Sequence, residues 1–225
     1  MIKNTVYSHD FYSENINPPR KEIVRYMVCK EESANEQKLI NEFLPLVKKE
    51  AKPKGSYAFF DLEKNDDAVF IEKECLKSKA LFKNLMCSDS AIVFSLTLGI
   101  GIDRLISKYS VLSPASALCI NGIATALIEE YANVFCGEIK EILKGENLFL
   151  MPRFSPGYAD FDLKNQELFI KLTNAQKICG INLTKSYMMA PSKSITAIMG
   201  VSDTNLSCNK SGCEICDNKN CKFRR

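Results

Sequence analysis

The run Ala91-Ile92-Val93-Phe94-Ser95-Leu96-Thr97-Leu98 constrains the fold more than any other stretch of the chain. It has the length of a strand and is almost continuously apolar, so it belongs in the middle of a sheet. It stops at Gly99 and Gly101, where the freedom of glycine either reverses the chain or lets backbone N–H groups approach a ligand ahead of a helix.

The segments around it are a mixture of helices and turn-linked strands. Pro18 and Pro19 close what reads as an irregular leader, residues 1–19, and Arg20 to Lys30 then carries Ile23, Val24 and Met27 at helical spacing. Ser33 followed by Glu36 is a reciprocal capping arrangement, and Leu39, Ile40, Phe43, Leu44 and Val47 fall on one face of the helix it opens. Ser56 to Leu62 and Ala68 to Glu72 are rich in aromatic and β-branched residues, and the polar residues between them predict a hairpin. Ser78 to Met86 reads as a short helix. Ser113 as cap with Pro114 at the first helical position predicts a long helix reaching about Leu143.

A short strand, Leu148 to Leu150, precedes a loop from Met151 to Phe161. A helix from Asp162 to a Gly180 cap follows, and then extended pieces that return through Ala190-Pro191-Ser192-Lys193 to a last strand, Ser194 to Val201. No βαβ rhythm is present. The expected class is therefore α+β, a mainly antiparallel twisted sheet with flanking helices.

Charge and composition exclude several functions. The net charge of +3 is carried by the end of the chain, where Cys208 to Arg225 holds five Lys/Arg against two acids, so the body is near neutral and lacks the basic face of a nucleic-acid binder. The opening residues lack the apolar core of a secretion signal. The most apolar long stretch, Val111 to Ile128, is broken by Ser113, Pro114, Ser116, Asn121, Gly122 and Thr125, so no membrane span is expected and the cytoplasm is the expected location. Six cysteines scattered through apolar contexts, Cys29, Cys75, Cys87, Cys119, Cys136 and Cys179, are expected to behave as small buried hydrophobes.

The only histidine, His9, lies in the leader, which argues against a Ser/His/Asp triad, a multi-histidine metal site or histidine acid–base catalysis in the body. The corrinoid-binding pattern Asp-x-His-x-x-Gly is missing as well. The loop Arg153-Phe154-Ser155-Pro156-Gly157-Tyr158 combines a guanidinium fork suited to a carboxylate, a stiffening proline, a permissive glycine and a flat aromatic face. Spacing alone leaves two readings open: a ligand loop, or a rigid surface turn whose arginine pairs with a nearby acid. The first requires a cleft beside the guanidinium.

Arg153-x-x-x-Gly157-Tyr158, followed a helix later by Gly180-Ile181-Asn182-Leu183-Thr184-Lys185-Ser186-Tyr187-Met188-Met189-x-Pro191, resembles the activation domain of cobalamin-dependent methionine synthase. Looser similarity through Thr97-Leu98-Gly99 and Ala124 to Glu130 extends it over roughly Arg20 to Val201. The resemblance implies a stand-alone version of that domain over residues 20–205 that binds S-adenosylmethionine. Arg153 would hold the ligand carboxylate, and Pro156, Gly157 and Tyr158 would shape the adenosine side. Thr125 stands where the larger enzyme has a glutamate, so Glu129, one turn on, is the substitute for the ammonium group.

The implied role is reactivation by reductive methylation, as an accessory component of methionine synthase activity. Cobalamin would be held by a partner synthase that lacks its own activation domain, and electrons would come from a reductant such as flavodoxin or ferredoxin. Reactivation of another corrinoid methyltransferase is the neighbouring alternative. An independent methyltransferase is disfavoured, because the early strand, glycine-rich turn and acidic strand end of the doubly wound fold are missing.

Residues 206–225 form a separate feature. Cys208-x4-Cys213-x2-Cys216-x4-Cys221 places four thiols in a polar segment too poor in apolar surface to fold unaided, so a metal centre is its expected organiser. Four thiolates suit zinc or an iron–sulfur cluster. A cluster would put an electron carrier on the chain that holds the methyl donor. Zinc would fit a competing reading, an interaction protein that docks through its basic tail and has no affinity for S-adenosylmethionine.

Overall fold

A computed structural model describes residues 2–29, 33–65 and 68–204. The central strand is β5, Ser90–Thr97, and it is flanked on both sides as its apolar run requires. β2, Lys54–Asn65, pairs with it antiparallel from Lys54↔Thr97 to Asp61↔Ser90, and β9, Ser194–Ser202, pairs from Thr97↔Ser194 to Ser90↔Val201. Beyond β2 lie β3, Ala68–Ile71, and β4, Glu74–Lys77; beyond β9 lies the two-residue β6, Phe149–Leu150. All of these pairings are antiparallel.

The faces of β5 explain its composition. Ile92, Phe94 and Leu96 pack into one apolar cluster with the helices α1 (Arg20–Tyr26), α2 (Ala34–Glu50), α4 (Ile100–Leu112) and α5 (Pro114–Lys144). Ala91 and Val93 pack into a second with α3 (Lys79–Leu85) and α6 (Asn165–Leu172). Polar alternation would have left one face uncovered.

α5 is the spine of the first layer. Ser113 accepts from the Ser116 N–H at its start and Pro114 stands in its first turn, as the sequence predicts. α1 crosses it at Gly122, where an added Cβ would stand 2.7 Å from Met27 Cγ and 3.3 Å from the Ile23 carbonyl. Only glycine permits that approach. The capping box of Ser33 and Glu36 at the head of α2 is also present.

Several expectations are corrected. Residues 1–19 are not an irregular leader throughout: Val6–Asp10 forms β1, paired antiparallel with β2 from Val6↔Ala58 to Asp10↔Lys54, and Ile16 is fully buried. His9 on that strand places Nδ1 2.9 Å from the Tyr131 hydroxyl and Nε2 2.7 Å from the Glu138 carboxylate, so the lone histidine fastens β1 to α5. The helix expected from Asp162 to Gly180 is two, α6 and α7 (Ala175–Cys179), broken where Asn174 takes a left-handed conformation with φ +50°. β7, Asn182–Leu183, and β8, Met189–Ala190, make a separate two-stranded hairpin. Of the scattered cysteines, Cys119 and Cys179 are buried as expected, but Cys75 and Cys87 are exposed.

Candidate functional site

The Arg153 loop begins at the free edge of the sheet. After β6, Met151 N–H donates to the Gly200 carbonyl at 2.8 Å, and Phe154 exchanges two backbone bonds with Ile198 at 2.8 and 2.9 Å. Arg153 lies between these two anchors to β9, which fixes its backbone and turns its side chain toward α5. There its Nη2 donates to the Glu129 carboxylate at 2.6 Å. The structure thus brings Arg153 and Glu129 together, two of the residues the sequence singled out.

The pair is half-exposed, the two side chains retaining 26% and 32% of their accessible surface. An open cleft of about 220 Å³ adjoins Glu129 between the start of α1 and α5, lined by Pro19, Lys21, Glu22, Ala126 and Asn133 among others. It is smaller than the roughly 300–1,000 Å³ of pockets that enclose a ligand, so a molecule bound here would lie in a shallow site with much of its surface open.

Two residues that sequence reasoning left out complete the surroundings. Cys136 lies two helical turns beyond Glu129 on α5 and contacts Met199 at 3.4 Å between sulfurs. Burial pushes its thiol upward, while the nearby Arg153 guanidinium pulls the other way. Tyr26 of α1 faces Glu129; burial raises its hydroxyl first, and the carboxylate adds to the rise. The seven-residue interval from Glu129 to Cys136 was the available signal for the thiol, but it gains meaning only once Arg153 is known to lie against that face.

Thr125 is engaged elsewhere. It donates to the Asn121 carbonyl and accepts from Lys193 Nζ at 3.1 Å, and Lys193 also donates to Asn121 Oδ1 at 2.7 Å. Burial lowers the Lys193 ammonium, with Asp103 opposing that shift. Thr125 and Lys193 therefore close a polar contact between α5 and the start of β9, leaving Glu129 as the carboxylate at the arginine.

The rest of the loop forms a tight turn. Pro156 is buried, whereas Gly157 and Tyr158 are exposed, Tyr158 at 63%. Gly157 has φ +92° and donates to the Phe161 carbonyl at 2.7 Å; Phe161 in turn donates to the Tyr158 carbonyl at 2.9 Å. The Phe154 and Tyr158 ring centroids stand 6.4 Å apart.

Cys208, Cys213, Cys216 and Cys221 lie outside the described residues. Among the described residues, no group of three or more His, Cys, Asp and Glu side chains is arranged to hold a metal, and no helix is long and apolar enough to cross a membrane.

The antiparallel sheet between two helical layers is similar in fold to a solved domain described as the MetH reactivation domain bound to AdoHcy. The match has a TM-score of 0.66 at 16% identity and covers 88% of this chain and 78% of that one. Residues 46–206 match the family model of the vitamin B12-dependent methionine synthase activation domain, and the chain belongs to that family. No curated protein matches the chain.

Proposed function

We propose that this protein binds S-adenosylmethionine across Arg153 and Glu129 and supports reductive methylation of cob(II)alamin held by a separate cobalamin-dependent methionine synthase. The observation that carries the reading is the partly buried Arg153–Glu129 pair, whose glutamate lines an open cleft. An α-amino acid end carries the same two charges in reverse: its carboxylate suits the guanidinium fork and its ammonium suits the glutamate. A zwitterion entering between them replaces one ion pair with two. The pair it displaces keeps about a quarter to a third of its surface open to solvent, so both groups remain reachable by an entering ligand.

Gly157 and Tyr158, exposed on the same loop, and the buried Pro156 that stiffens it, are the proposed contacts of the adenosyl portion. The corrinoid supplies the nucleophilic metal and the reductant one electron. The task left to this chain is to hold the methyl donor and aim it, which is catalysis by positioning and asks for no histidine. That the solved domain of like fold is described with AdoHcy bound supports the same reading, since AdoHcy differs from the donor by the transferred methyl group.

A flavodoxin or ferredoxin is the proposed source of the electron. Cys208, Cys213, Cys216 and Cys221 are proposed to hold an iron–sulfur cluster or zinc, and a cluster would relay that electron. Anaerobic purification with iron, sulfide and zinc analysis decides between them; a colourless protein with stoichiometric zinc would reject the relay.

Calorimetry with S-adenosylmethionine tests the central claim. Wild type should bind, and Arg153→Ala should lose most of the affinity. Mixing the protein anaerobically with the cob(II)alamin form of a partner synthase, a reductant and S-adenosylmethionine should convert the cob(II)alamin absorbance to that of methylcobalamin. A wild-type protein that binds no S-adenosylmethionine overturns the reading.

A further inference from the structure

The site loop has a second tether that the Arg153–Glu129 pair does not explain. Asp160, near the end of the loop, places its carboxylate at the head of α3, about eighty residues away in sequence. Oδ1 accepts from the Ser78 hydroxyl at 2.6 Å and from the Ala80 N–H at 3.1 Å, and Oδ2 accepts from the Lys79 N–H at 2.7 Å. Ser78 Oγ itself accepts from the Leu81 N–H at 3.0 Å, and the Phe82 N–H donates to the Ser78 carbonyl at 2.9 Å. The N–H groups of Lys79, Ala80 and Leu81, which the helix leaves unpaired at its start, are thus satisfied by two side chains, one of them borrowed from the site loop, and Phe82 begins the ordinary helix ladder.

The loop needs this hold. Tyr158 is flanked by two left-handed residues, Gly157 at φ +92° and Ala159 at φ +50°. Glycine takes that conformation freely, but alanine does not, because its Cβ crowds the following carbonyl. Such a residue persists only where its surroundings over-determine it. On one side the chain is fixed by the Phe154–Ile198 bonds. On the other it is fixed by Phe161, 1% exposed and packed near Phe154 and Phe169, and by Asp160. Phe161 sets the depth of the chain's return into the core; the Asp160 carboxylate sets the direction from which it arrives.

We infer that Asp160 is a positioning residue for the ligand: by gripping the N-terminus of α3 it keeps Ala159 left-handed and holds the Gly157–Tyr158 turn in the shape that meets the adenosyl group. The inference rests on the reading of the Arg153 loop as the S-adenosylmethionine site. It assigns Asp160 no contact with the ligand, since both of its oxygens are occupied at α3. The donation from Ser78, and those from Lys79 and Ala80, also hold the Asp160 carboxyl below the usual range, so the grip is ionic at neutral pH.

The test uses the full-length protein and four variants: Asp160→Ala, Asp160→Asn, Ala159→Gly, and the double Asp160→Ala/Ala159→Gly. Two quantities are measured: affinity for S-adenosylmethionine by calorimetry, and amide exchange of Gly157 and Phe161, with Phe154 and Ile198 as internal standards. Loss of preorganisation in Asp160→Ala should weaken binding about tenfold and speed exchange of Gly157 and Phe161 relative to the standards. Asp160→Asn keeps acceptors for Ser78 and the helix and should fall between it and wild type. Ala159→Gly alone supplies the reference against which the double variant is read. Because glycine accepts the left-handed turn without strain, Ala159→Gly should restore about threefold of the lost affinity in the Asp160→Ala background, a rescue that a direct ligand contact or a general loss of folding would not give.

Wild-type binding with Asp160→Ala equally tight, or with Gly157 and Phe161 exchanging at wild-type rates, overturns this role alone. Absence of wild-type binding overturns the functional reading and this role together.

Discussion

The Arg153 guanidinium and the Glu129 carboxylate meet at 2.6 Å across the junction of a sheet-edge loop and the longest helix, and neither side chain is fully buried. A partly buried single pair of this kind is expected to stabilise the fold by no more than about 1 kcal/mol. On the proposed reading, ligand binding is the property that depends on it. Arg153→Ala should shift the urea midpoint by no more than the equivalent of about 1 kcal/mol. It should weaken S-adenosylmethionine binding roughly 10- to 160-fold, because a charge-assisted bond worth about 1.5–3 kcal/mol is lost. Arg153→Lys should recover only part, since an ammonium cannot reproduce the planar fork.

Glu129→Gln separates the two ends of the ligand. The amide keeps an acceptor for Arg153 but loses the charge that attracts an ammonium, so affinity for S-adenosylmethionine should fall about tenfold while its des-amino analogue loses little. Calorimetry with both compounds checks this. Equal losses for the two would place the ammonium elsewhere.

Gly122 tests how α1 is held to α5. In Gly122→Ala the new methyl would meet Met27 Cγ at 2.7 Å, the Met27 N at 3.2 Å and the Ile23 carbonyl at 3.3 Å. The side chain of Met27 can swing aside, but the backbone of α1 must retreat. Overpacking of this kind costs about 1–3 kcal/mol, offset by at most about 1 kcal/mol from the better helix propensity of alanine. A net loss near 1–2 kcal/mol is expected from urea denaturation. The cleft beside Glu129, which is built between these helices, should widen and report the change as weaker ligand binding.

These relationships also show what could be read along the chain. β5 was legible because a strand covered on both faces writes its burial as an unbroken apolar run, and α5 because Ser113 and Pro114 mark its start chemically. β1 was not: its residues alternate between exposed and half-buried, and its partners, residues 54–58, are some fifty positions away. The break between α6 and α7 rests on one asparagine in a left-handed conformation, which the apolar periodicity around it conceals. At the site, the loop motif and the resemblance pointed to Arg153 and Glu129, but the contact between them is tertiary. Tyr26 and Asp160 carried no signal of their own, and Cys136 only its helical interval from Glu129, because each matters through a neighbour that only folding supplies.

The Asp160 tether also sets an acid limit on the loop. An aspartate in an unfolded chain titrates near pH 3.9, on the order of the reference value, and in this structure the Ser78 hydroxyl and the α3 N–H groups hold it lower. Stability from a carboxylate with a depressed folded-state pKa is fully present above the unfolded value and is lost as pH falls through the folded one. Between neutral pH and about pH 4, then, exchange protection of Gly157 and Phe161, corrected for intrinsic rates, should hold steady. Below that it should drop in wild type as the carboxyl takes a proton and the helix N–H groups lose their ionic acceptor. In Asp160→Asn, which has no proton to gain, protection should start lower and stay flat over the same range. A wild-type profile that falls already between pH 6 and 5, or one that the asparagine variant reproduces, would assign the acid sensitivity of the loop to a different group.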